Sequence, residues 1–166
     1  MTKTKLESQE GTDADSLPMI TDSPVDPYEG LDEIERKQIE WMNKFNAVMI
    51  GIFNHVTEFY SNKEVENARE QITDVLIESP SGPICCFLKY VYNNDTYRNN
   101  LMEMNESFFL DMERVDDPEI AKDKMIIERI FSFKKIWSSF KPDTKYFIMR
   151  SLRGLVKIST EYIKYL

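Results

Sequence analysis

Glycine and proline are scarce in this chain, with five and seven in 166 residues. Four of the prolines, Pro18, Pro24, Pro27 and Pro80, lie before or between the periodic segments. A β-sandwich or barrel needs frequent turn residues, so this poverty argues against a multi-stranded β protein. Cysteine is limited to Cys85 and Cys86, side by side. Neighbouring cysteines rarely close a structural bridge, because the ring they would form is small and strained. They read as two small buried hydrophobes in a reducing compartment. Long apolar runs are missing too. The longest, AVMIGIF at 47–53, is far short of the ~20 residues needed to span a bilayer. The N-terminal MTKTKLESQEG has no apolar stretch of the kind a secretory signal carries. The sequons at Asn94-Asp95-Thr96 and Asn105-Glu106-Ser107 would matter only in a secreted protein. Together these absences lead us to expect a soluble intracellular protein without a membrane span.

Catalytic apparatus is equally thin. There is one histidine, His55, and no Walker A loop, G-x-G-x-x-G or C-x-x-C. His55 and Glu58 lie one helical turn apart, but a di-iron centre needs two such pairs and further carboxylates on facing helices. A nucleophile built from Cys85 and His55 would lack a glycine-shaped oxyanion loop. His55 reads instead as a core histidine hydrogen-bonded to a neighbour. We therefore expect no enzyme activity, no metal and no cofactor.

What the chain does contain is helical periodicity. Apolar residues at 42 % suffice for a core, since a domain of ~140 residues buries roughly two-thirds of its unfolded surface. From Leu31, two adjacent seams run in steps of three and four. One passes through Leu31, Ile34, Gln38, Trp41, Phe45, Val48, Ile52, His55 and Phe59, the other through Ile39, Met42, Asn46, Met49, Phe53, Val56 and Tyr60. Two seams make a wide buried arc, so this helix is expected at the centre of a bundle. Ser61 and Glu64 spell a capping box for a helix burying Val65, Ala68, Ile72, Val75 and Leu76. Pro83 opens another, with Ile84, Phe87, Leu88, Val91 and Tyr92. Asp95 or Thr96 caps a restart, and the pattern leaves open whether residues 84–113 form one helix or two. Asp117-Pro118 starts a helix with Ile126, Ile130, Phe133, Trp137 and Phe140 on its stripe. After Pro142-Asp143 the last helix buries Ile148, Leu152, Leu155, Ile158 and Tyr162. Gly154, inside it, reads as a close helix–helix approach. The expected fold is all-α, a bundle of five or six helices over 31–166.

Residues 1–30 differ in kind. Two lysines face seven acids there, a net of −5, and large apolar residues are few. Such a segment cannot bury enough surface to offset its ordering entropy, so a disordered acidic tail is expected. Leu17, Met19 and Ile20 are its exception and suit a linear contact with a partner.

Charge is segregated along the rest. Residues 31–121 hold eight Lys and Arg against eighteen Asp and Glu, while 122–166 hold eleven against four, a net of +7. Arg150, Arg153, Lys157 and Lys164 fall close to one face of the last helix, interrupted by Glu161. Lys134, Lys135, Lys141 and Lys145 crowd the connection before it. Three readings fit this basic end. It is a solvated face paired with the acidic middle helices, or a docking surface for an acidic protein segment, or a nucleic-acid surface. The overall charge of −8 and the lack of any binding motif stand against the last. Six tyrosines, Tyr90, Tyr92, Tyr97, Tyr146, Tyr162 and Tyr165, cannot all face one small core; they read either as core packing with hydroxyls at the rim or as an interface.

The string IFSFKKIWSSFKPDTKYFIMRSLRGLVKIS, residues 130–159, resembles a pattern of small helical proteins of nucleocytoplasmic large DNA viruses. There a Phe-x-x-x-Trp helix, a polar turn with a lysine and a Leu-x-x-Leu helix follow in order, matched here by Phe133, Trp137, Lys145, Leu152 and Leu155. Phe147 or Ile148 stands where such proteins carry a second Trp. The resemblance covers about the last fifth of the chain. It implies a viral protein, packaged in the virion or working in host cytoplasm, and transfers no catalytic residue. The whole reading is a non-enzymatic helical interaction protein, plausible as a virion or assembly component. It would dock a protein partner, or self-associate, through Lys134, Lys141, Lys145, Arg150, Arg153 and Lys157, with Trp137 as structural support. Nucleic acid on the same basic face is the alternative.

Overall fold

The computed structural model describes residues 24–60, 63–110 and 134–166. These form helices and turns, with no strand among them. The protein is all-α. Contacts divide the chain into Met1–Gly30 and Leu31–Leu166. Of the first unit, residues 24–30 are described and form a turn, in which the Tyr28 N–H donates to Asp26 Oδ1 at 3.0 Å. Leu17, Met19 and Ile20, with the disorder expected around them, lie outside the described residues.

The second unit begins with α1, Glu33–Phe59. Its start is set by a capping box. Asp32 Oδ1 accepts the Glu35 N–H at 2.8 Å, and Glu35 Oε2 accepts the Asp32 N–H at 3.0 Å. Phe45 and Val56 are buried, and Trp41, Met42, Val48, Met49 and Ile52 pack partly buried around them. The wide arc is therefore real, although its ends open to solvent at Ile34 and Phe59. On the outer face Glu40 bridges Lys37 at 3.0 Å and Lys44 at 2.8 Å. Hydrogen bonds from Lys44 and Lys37 hold its carboxyl below the usual range, but exposed pairs of this kind add little stability.

The next helix, α2, Lys63–Glu78, turns Val65 inward with Ala68, Ile72 and Leu76 half-buried. Val75, expected on that face, is exposed. Ser61 lies outside the described residues. Then α3, Gly82–Phe87, carries Pro83 in its first turn and buries Ile84. A single π turn follows over Leu88–Tyr92, closed by the Asn93 N–H donating to the Leu88 carbonyl at 3.0 Å. The restart is α4, Asp95–Met102, capped by Asn94 and not by Asp95 or Thr96. Asn94 Oδ1 accepts the Tyr97 N–H at 3.1 Å. Arg98 splints the joint, donating to the Tyr92 carbonyl at 2.8 Å and to Asp95 at 2.6 Å. After Met104, which takes a left-handed φ of 54°, comes α5, Glu106–Leu110. The stretch 84–110 is thus several short helices.

Residues 134–139 are helical (α6), and α7, Pro142–Tyr162, runs on into a 3₁₀ turn at Ile163–Tyr165. Proline suits the first turn of α7 because its missing N–H has no partner there anyway. The Lys141 N–H donates to Tyr60 Oη at 2.7 Å, pinning the α6–α7 corner to the end of α1. From α7, Ile148, Met149, Leu155, Val156, Ser159 and Tyr162 are buried, packed mainly on α1 and on α4. One core cluster gathers Val56, Val65, Leu101, Trp137, Phe140, Ile148, Met149 and Val156; the other gathers Phe45, Ile84, Leu155 and Tyr162.

Two expectations fail here. Cys85 and Cys86 are free and exposed. The helical step turns Ile84, Phe87 and Leu88 inward together, which leaves the two residues between them facing out. Gly154 marks no close approach either, since a Cβ there would meet no atom within 4 Å. Leu155 and Val156 carry the helix–helix contact, and Gly154 sits one step off that arc.

Candidate functional site

The described cations of the basic end do not form one cluster. On α7, Arg150, Arg153 and Lys157 lie at steps of three and four, so one face presents all three. Arg150 and Lys157 are exposed and Arg153 is half-buried. Tyr146, four residues before Arg150, extends the stripe and is 59 % exposed. Among the described residues no carboxylate lies within ion-pair distance of Arg150, Arg153 or Lys157. Lys164 continues the face but is held by Glu161 at 2.8 Å, so the two neutralise each other.

The other three lysines are placed differently. Lys145 is on another side of α7, where its Nζ lies 3.8 Å from Glu106 Oε1. The same oxygen accepts the buried Trp137 Nε1–H at 2.7 Å. Intramolecular pairing with the acidic middle helices therefore holds for Lys145. Trp137, 3 % exposed, is the structural support expected of it. Lys141 is exposed at the corner before α7, and Lys134 is half-buried on α6.

Opposite charge collects on α2. A cleft of about 790 Å³ between α1 and α2 is lined by Glu58, Glu66, Glu70 and Asp74, with Arg69 among them. Glu66, Glu70 and Asp74 have no cation within ion-pair distance among the described residues. The signal for this acidic face is the spacing of Glu66, Glu70 and Asp74, each four residues after the last.

The remaining candidates disperse. His55 is half-buried and stacked on Phe147 with ring centroids 4.1 Å apart, with Phe59 at 4.9 Å on another side. It makes ring contacts where a hydrogen bond was expected. No group of His, Cys, Asp or Glu suited to a metal occurs among the described residues. Of the six tyrosines, Tyr90 and Tyr146 are exposed. Tyr92 reaches Thr160 Oγ1 at 3.0 Å, Tyr97 packs edge-on to Phe108, and Tyr162 is in the core. No described helix is long and apolar enough to cross a membrane. Against family models, curated proteins and solved structures the chain finds no match, so the resemblance over residues 130–159 gains no support from them.

Proposed function

We propose that this protein is a non-enzymatic helical interaction protein that docks acidic protein segments on the outer face of α7. One observation carries the reading. In a chain of net charge −8, Arg150, Arg153 and Lys157 share one face of α7, the first and last of them exposed, with no carboxylate within ion-pair distance among the described residues. Such a face attracts an acidic partner, raises the encounter rate and selects partners by charge. Trp137 holds the corner from which α7 departs. Lys134 and Lys141 extend the positive field, and Leu17, Met19 and Ile20 supply a second, linear contact. A place as a virion or assembly component belongs to the same proposal and rests on the resemblance of residues 130–159 alone. Three cations on one helix are few for nucleic-acid binding, where affinity grows with the number of phosphates neutralised.

The test is fluorescence anisotropy on the full chain, with a labelled poly-glutamate peptide and a random DNA duplex as probes. The peptide is expected to bind at low salt, and R150E/R153E/K157E to abolish that binding without loss of helicity. Duplex binding tighter than peptide binding, or a triple variant that still holds the peptide, would overturn the reading.

A further inference from the structure

The acidic partner that fits the α7 face best is carried by the chain itself. The α7 stripe is Tyr146, Arg150, Arg153 and Lys157, in steps of four, three and four. On α2, Ile77, Thr73, Glu70 and Glu66 descend in the same steps of four, three and four, with Asp74 on one flank of the stripe and Arg69, a single cation, on the other. All of these α2 residues are exposed, and Ile77, a large aliphatic side chain, is 75 % exposed. Both stripes cover eleven residue steps, ~16 Å of helix.

Laid antiparallel, the two stripes match along their length. Ile77 meets Tyr146, Thr73 and Asp74 meet Arg150, Glu70 meets Arg153, and Glu66 meets Lys157. Laid parallel they fail, because Lys157 would meet Ile77 and Tyr146 would meet Glu66. Within one molecule the pairing is unmade. Both helices pack on α1, and no ion pair joins them among the described residues. We infer that the α7 face of one copy docks antiparallel on the α2 face of a second copy, a conclusion that rests on α7 being an acid-docking surface. Made once, the contact joins two different patches head to tail; made twice, α7 to α2 and α2 to α7, it closes into an isologous two-fold dimer. Its energy comes from exposed ion pairs around one apolar contact. Each such pair contributes little, so the association is weak and salt-sensitive.

Sedimentation velocity on the full chain tests this at ~50 mM and ~500 mM salt, on either side of the screening range. The 19.6 kDa chain is expected to rise toward twice that mass at low salt and return to monomer at high salt. R150E/R153E/K157E and E66R/E70R/D74R are each expected to be monomeric alone. Mixed in equal amounts they should associate again, because the acidic α7 of one then faces the basic α2 of the other. The triple reversals move the net charge from −8 to −14 and −2. Both variants stay acidic, so general attraction cannot mimic the rescue. Ile77→Ser, which changes no charge, should weaken association several-fold. Cooperative urea unfolding of each variant checks that it folds. A wild-type chain that stays monomeric at low salt, or a mixture that does not associate, overturns the self-pairing. If the poly-glutamate peptide still binds α7 in that case, the docking face stands and only its partner was misassigned. If the peptide fails as well, the reading of α7 falls with it.

Discussion

Replacing Gly154 with alanine should stabilise the protein. Gly154 is in the middle of α7, and a Cβ built there meets no atom within 4 Å. The substitution therefore strains nothing, and its effect reduces to helix propensity. Glycine in a helix interior is about 0.8–1 kcal/mol less favourable than alanine, chiefly because it loses more backbone freedom on folding. In a chain of this size ~1 kcal/mol corresponds to a rise of roughly 2–4 °C in Tm. Gly51 in α1 has the same open surroundings, so Gly51→Ala should give a similar gain and the pair about 2 kcal/mol if the sites are independent. Gly82 provides the contrast, because its Cβ would come 3.2 Å from Ser79 Oγ and 3.5 Å from Ser79 Cβ. Gly82→Ala should give no gain. Urea unfolding followed by circular dichroism reads all four variants. Were Gly154 a close-packed helix crossing, an added methyl would overpack it and cost about 1–3 kcal/mol. The sign of the change separates the two cases, and a lowered midpoint for Gly154→Ala would refute the packing described here.

Glu106→Ala should cost about 2 kcal/mol, because it removes the charged acceptor of the buried Trp137 N–H. Glu106→Gln keeps an acceptor and should cost less than ~1 kcal/mol; equal losses from the two, by urea unfolding and Trp fluorescence, would discount the hydrogen bond. Burial, and to a smaller extent Cys85, pushes the Tyr162 phenol above its ordinary 10.0. A raised folded value means that stability is level below pH ~10 and falls as pH climbs through the folded pKa. Tyr162→Phe should flatten that alkaline fall, and parallel urea midpoints for the two proteins between pH 9 and ~11.5 would discount Tyr162 as a contributor.

What could be read in the residues was whatever one helix determines alone. The arc of α1, the proline starts of α3 and α7 and the stripe of Arg150, Arg153 and Lys157 all follow from periodicity and terminal chemistry. What could not be read depends on a neighbour. Whether Cys85 faces in or out is decided by where α1 and α7 place the contact with Ile84. Lys145 and Arg150 are equivalent in the sequence, yet a step of five residues turns them to different sides, and Glu106 lies opposite only one of them. Gly154 looked like a crossing because glycine in a helix demands a reason, and the reason depends on where the neighbouring helix lies. The cap falls on Asn94, one residue before Asp95, because among three adjacent polar side chains it is Asn94 that accepts the Tyr97 N–H.

The charge distribution then has a mechanical basis. Uncompensated like charges on one face cost self-repulsion, which internal pairs would relieve if the geometry brought them together. At Lys145 it does, and there the carboxylate is already fixed by the Trp137 N–H. At Arg150, Arg153 and Lys157 it brings none among the described residues, because α1 packs against both α2 and α7 and the two facing surfaces carry the apolar residues. The acidic stripe of α2 and the basic stripe of α7 are the faces left over once those apolar surfaces are spent on α1. The same burial that builds the bundle thus keeps these two charged stripes on separate surfaces.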